Sequence, residues 1–166
     1  MPTQPRTTAQ RLTVLGVLLA ACAASADTVA LSGIVASSAT VVSTPTAGAT
    51  ALNLAGATEK IVKVADVLLS TNNTTGLTVT ITSGNLTNGT PSANIAYKVT
   101  TAGDAATAPL TAAFTTNSGD GYTYSTAGDT EPTSVERDLY IAYTPAALQD
   151  PGTYTGTITL TVADNS

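Results

Sequence analysis

The feature that most restricts this chain is an alternation of apolar residues with threonine at period two. In its clearest run, Tyr154, Gly156, Ile158, Leu160 and Val162 alternate with Thr155, Thr157, Thr159 and Thr161. Successive side chains of a strand point to opposite faces, so this spacing builds a half-buried strand with one apolar face and one hydroxyl face. Leu77, Val79 and Ile81 alternate with Thr78, Thr80 and Thr82 in the same way, and Ile95, Tyr97 and Val99 repeat the pattern. Further strands are expected over 61–69, 110–114, 121–124 and 135–143, the last with Arg137 as an exception in an apolar set. Asn72-Asn73 with Gly76, Ser83-Gly84-Asn85 and Asn88-Gly89 supply turns, and Asp150-Pro151-Gly152-Thr153 has the centre of a type II turn. Pro145 to Leu148 could close one helical turn. About seven to nine short strands and no long amphipathic helix predict an all-β chain, a single immunoglobulin-like antiparallel β-sandwich.

Residues 1–26 stand apart from that pattern. Arg6 and Arg11 precede an apolar run from Leu12 to Ala23, and Ala24-Ser25-Ala26 offers a small-x-small cleavage site, the arrangement of a secretory signal peptide. The run is too short to cross a hydrocarbon core as a helix, and nothing later approaches about eighteen consecutive apolar residues. Leu19-Ala20-Ala21-Cys22 also fits the pattern before a lipid-modified cysteine, which would make the product a membrane-anchored lipoprotein held at Cys22. Cleavage after Ala26 is the reading adopted, giving a protein secreted to the cell surface or an extracellular filament, with residues 27–166 as one sandwich domain.

Composition then removes most chemistry. The chain has no His, no Trp and a single Cys, and that Cys lies in the leader. Without an imidazole or a mature thiol, nucleophilic catalysis would need a Ser–Lys pair drawn from three lysines, so no enzyme and no cofactor are expected. After cleavage four cations, Lys60, Lys63, Lys98 and Arg137, stand against all eleven acids, four minus eleven or −7. Phosphate recognition needs clustered Lys and Arg, so nucleic acid is not expected as a partner. Asp120, Asp129 and Glu131 are the acids grouped closely enough to suggest a calcium site or a glycosidase pair. They lack the spacing of an EF-hand loop and sit among Gly, Ser and Thr, so solvated loop acids are the simpler reading. The Asn-x-Thr sequons at Asn72, Asn73, Asn85 and Asn88 are read as turns.

The two ends of the mature chain carry the remaining information. Val29, Leu31, Gly33 and Val35 alternate with Ala30, Ser32, Ile34 and Ala36, so residues 27–36 have strand spacing immediately after the cleavage site. Pro151-Gly152-Thr153-Tyr154-Thr155-Gly156 followed by Thr157 to Val162 resembles the closing strand of fimbrial subunits of the chaperone-usher pathway, most like the spore-coat-U-like and colonisation-factor-type branches. The resemblance extends to the leader, the short alternating segment 28–36 and strands such as Leu77 to Ser83. It implies an incomplete sandwich whose missing strand comes from the N-terminal extension of another copy, with a periplasmic chaperone and usher as further partners. Val29, Leu31 and Val35 would then fill a groove, with Gly33 where the groove is shallow. The mature chain lacks the disulfide many such subunits carry. Residues 28–36 equally suit the first strand of a self-contained immunoglobulin-like binding module, and that alternative stays open at this point.

Overall fold

The computed structural model describes residues 29–128, 130 and 134–165. The leader with Cys22, and the acids Asp129 and Glu131, lie outside the described residues. The chain divides into two compact units, Met1–Ile34 and Val35–Ser166, and the sandwich belongs to the second. Eight strands are found among the described residues: β1 Ala39–Pro45, β2 Lys60–Thr71, β3 Leu77–Thr82, β4 Asn85–Leu86, β5 Ile95–Gly103, β6 Gly121–Ser125, β7 Val135–Tyr143 and β8 Thr159–Asp164. One four-residue helix, α1 at Ala47–Thr50, and two 3-10 turns complete the regular structure. No helix among the described residues is long and apolar enough to cross a membrane.

The strands form two antiparallel sheets, one ordered β1-β2-β7-β5-β4 and the other β6-β3-β8. Alternation explains the core between them. Leu77, Val79 and Ile81 of β3 are fully buried and meet Val67 and Leu69 of β2, Val99 of β5, and Leu139 and Ile141 of β7. The threonines between them face outward, and in register Thr161, Thr80 and Thr123 form one row across β8, β3 and β6. Strand β7 lies in the middle of its sheet and is buried on both sides. Its second face, Tyr140 and Ala142, is covered by Phe114.

Three local expectations change. Residues 29–38 carry no strand, and β1 begins at Ala39. Alternation marks a segment able to pair, but a strand also needs a partner for its main chain. The short strand expected over 110–114 is a 3-10 turn at Thr111–Ala113. Only Phe114 is anchored there while Leu110 is exposed, so no apolar face forms. Residues 145–148 bend without making a helical turn, and the loop at Pro151-Gly152 is a bend with Gly152 at φ +142°.

In immunoglobulin-type sandwiches one sheet holds strands A, B, E and D and the other C, F and G. Here β1, β2, β7 and β5 take the first four places, β3 and β8 take C and F, and β6 flanks β3. Beyond β8, where G would pair, the described residues supply no strand.

Candidate strand-accepting groove

Among the described residues, strand β8 pairs with β3 on one side only. The amide of Asn165 donates to the carbonyl of Gly76 at 2.9 Å, one step beyond the Leu77–Asp164 pair. Hydrogen-bonding direction alternates along an antiparallel strand, so Thr159, Thr161 and Ala163 turn their main-chain groups to β3. Leu160, Val162 and Asp164 therefore turn theirs to the open side. Strand β1 has the matching arrangement. Bonds from Thr46 N–H to the Val64 carbonyl and from Asn72 N–H to the Ser38 carbonyl set its parity, so Ala39, Val41 and Ser43 face away from β2. Pro45 shares that orientation, and its missing N–H falls on the open side, where an edge strand tolerates proline.

Between these two edges lies an apolar groove with a cavity of about 290 Å³. Val64, Leu86, Tyr97, Leu139 and Ile141 form its floor, Ser43 and Pro45 one wall, and Gly156, Ile158 and Leu160 the other. The burial of the two sheets differs sharply here. Leu77 and Ile81 in the centre of the second sheet are completely buried, whereas Ile158, Leu160 and Val162 are only half-buried, as are Ala39 and Val41 across the groove. The alternation of the terminal segment thus prepares an apolar face that the domain itself covers only in part.

Polar contacts fix both ends of the groove. At one end the Thr71 hydroxyl donates to the Asp164 carboxylate at 2.9 Å, and Ser37 Oγ bonds to the same carboxylate. Asn165 binds the adjoining corner through its side chain, donating to the carbonyls of Thr75 and Thr126 and accepting from the Thr78 hydroxyl. At the other end the terminal segment leaves the ladder. Thr155 makes an isolated bridge to Thr87, and residues 156–158 run beside the five-stranded sheet with no ladder partner among the described residues. Gly156 permits this because a Cβ would lie 3.0 Å from Leu86 Cδ2 and 3.1 Å from the Asn85 carbonyl oxygen. Tyr97 in the floor and Tyr143 on the neighbouring strand β7 donate their hydroxyls to the carbonyls of Thr157 and Asn53, and burial pushes both phenols above their ordinary pKa.

The terminal-strand residues Tyr154, Ile158, Leu160 and Val162 all pack on the core, as their alternation implies, with Gly156 against Leu86 and Tyr97. The N-terminal candidates have a different setting. Val29, Leu31, Ile34 and Val35 are more than four-fifths exposed, and Gly33 has open space around it.

Asp120 is an exposed loop acid. The carboxylates that approach one another among the described residues are instead Asp66, Asp104 and Asp138, with ligand atoms within 4.8 Å. Lys63 already supplies a positive charge there, its Nζ 2.6 Å from Asp66 and 2.7 Å from Asp138. The Asp138 and Asp66 carboxylates hold that ammonium above its ordinary pKa range. Sequence reasoning missed this cluster, and the available signal was Asp138 beside Tyr140 and Ala142 on a second buried face of β7. Compared with known proteins, the chain matches no family model, no curated protein and no solved structure.

Proposed function

We propose that this protein is a non-catalytic secreted subunit of an extracellular fimbria or filament, assembled by β-strand donation between copies. Residues 27–36 of one copy enter the groove between β1 and β8 of the next. The observation that carries this reading is the half-buried apolar face of β8, whose outward main-chain groups border an apolar groove. An added strand satisfies such an edge with main-chain bonds while alternate side chains fill the groove.

A strand from Val29 to Val35 spans roughly 20 Å, whereas the cavity borders the terminal segment only as far as Leu160, so a donated strand that pairs along all of β8 must displace the contact of Ser37 with Asp164 and part β1 from β8. Burying Val29, Leu31 and Val35 is worth about 5–9 kcal/mol gross, from which the ordering of the segment subtracts. On this reading an apolar groove left open before assembly would need cover, the part a periplasmic chaperone and usher would play.

The test is polymer formation by the secreted protein. Ladders that survive detergent at room temperature and collapse on boiling are expected, with a mature N-terminus at Asp27 by mass spectrometry. Deleting residues 27–36, or introducing Leu31→Asp, should abolish them, because a carboxylate would be buried in the groove without a partner. A monomer unaffected by the deletion, or an acylated N-terminus at Cys22 without polymers, would instead identify a self-contained cell-surface binding module.

A further inference from the structure

The alternation of Val29, Leu31, Gly33 and Val35 does not by itself choose between the protein's own groove and a neighbour's. To fill its own groove, the extension would fold back beside the open edge of β1 through a turn at residues 36–38. In that hairpin Val35 would face Ala39, and Gly33, Leu31 and Val29 would fall on the inner face with Val41 and Ser43. Side-chain pattern therefore permits self-completion as readily as donation. The turn is what separates them.

Residues 36–38 are held extended by one side chain. Asn72 Oδ1 accepts from the Ser38 amide at 2.9 Å, and Asn72 Nδ2 donates to the Ala36 carbonyl at 2.9 Å. The Asn72 amide donates to the Ser38 carbonyl at 3.2 Å. In a strand, the carbonyl of residue i and the amide of residue i+2 point to the same side. The Asn72 carboxamide thus meets Ala36 and Ser38 as a neighbouring strand would, continuing the β1–β2 ladder beyond the Ala39–Thr71 pair. Ser37 points the other way and bonds to Asp164. The sequence reinforces the geometry: a three-residue hairpin loop favours a glycine in the left-handed region, and Ala36-Ser37-Ser38 contains none.

We infer that Asn72 is the residue that decides whose groove the extension fills: its carboxamide holds residues 36–38 straight, so the extension completes a second copy and not its own domain. This inference rests on the strand-donation reading and assigns Asn72 a positioning role within it.

Disulfide trapping tests both statements separately, because the mature chain has no cysteine of its own. A chain carrying Leu31→Cys and Leu160→Cys is oxidised and run without reductant. Intermolecular links should exceed intramolecular ones by about tenfold or more, the factor expected when the two carboxamide hydrogen bonds oppose the turn. Adding Asn72→Ala with Ser37→Asn and Ser38→Gly, which frees the segment and supplies a hairpin turn, should shift the products toward intramolecularly linked monomer. Intramolecular links in the chain that keeps Asn72 would overturn the role of Asn72 while leaving the groove as the site of the extension. Predominantly intermolecular links in the released variant, confirmed folded by circular dichroism, would also overturn it. No links in either chain would overturn strand donation, and this inference with it.

Discussion

The Tyr97 hydroxyl donates to the Thr157 carbonyl at 2.7 Å, joining β5 in one sheet to the segment that leads into β8 in the other. Because residues 156–158 have no ladder partner, this bond does for them what strand pairing does elsewhere. It holds the wall of the groove at a fixed distance from the floor.

Tyr97→Phe should therefore destabilise the domain by about 1 kcal/mol, the net worth of one hydrogen bond, while keeping the packing of the ring. Urea denaturation reads the change. Assembly should suffer more than stability does, because the wall it loosens borders the groove, and a variant that polymerises at the wild-type rate would contradict this account of the wall.

Gly156→Ala should cost about 1–3 kcal/mol, the usual range for overpacking. The added methyl would meet Leu86, the Asn85 carbonyl and Tyr97, whose Cε1 lies 3.3 Å away. Relief requires the terminal segment to move off the floor, so the thermal midpoint should fall. An unchanged midpoint would show that this approach is not tight in solution.

Lys63→Met should be among the most damaging single changes, at roughly 3–5 kcal/mol, because it leaves a buried carboxylate without its cation. Asp138 is only 3% exposed in its side chain, whereas Asp66 is 55% exposed and can hydrate. Adding Asp138→Asn to Lys63→Met should recover much of the loss, and adding Asp66→Asn should not. Equal recovery by both would place the cost elsewhere.

Stability should fall at alkaline pH. Burial raises the pKa of Tyr97 and Tyr143, and ion pairing raises that of Lys63. The unfolded chain releases these protons first, from about pH 10, so above that pH the folded state binds more protons and loses stability as pH rises. Below about pH 10 this contribution is intact. Denaturation midpoints across the range should stay level and then drop, with a smaller drop in Tyr97→Phe; a midpoint that climbs above about pH 10 would mean that the folded state releases these protons first.

The residues most legible in the sequence were those whose alternation met a partner within the chain. Leu77 to Thr82, Ile95 to Val99 and Val135 to Tyr143 read as strands and are strands, because each has β-branched or aromatic residues on one buried face. β1 was hidden: Ala39, Val41 and Ser43 make a weak apolar face, Val42 is exposed, and Pro45 reads as a turn. The groove was half legible, since Ile158, Leu160 and Val162 announced an apolar face but not that it would be left half-covered. Burial of that kind depends on sheet order, which local periodicity does not contain. The pairing of Lys63 with Asp138 was beyond reach for the same reason, as it joins β2 to β7 across 75 residues.

The two lips of the groove are unequal, and Pro45 makes them so. With no N–H to offer on its open side, β1 is blunted at the end nearest the groove wall, as edge strands that resist promiscuous pairing commonly are. β8 has no such guard, and Leu160 and Val162 present both main-chain groups outward. Of the two lips, β8 is thus the one on which a stray strand can add in concentrated solution, and sheet growth across the groove would begin there. A soluble peptide matching residues 29–35 should act first as an anti-aggregant, occupying that edge before a stray strand does.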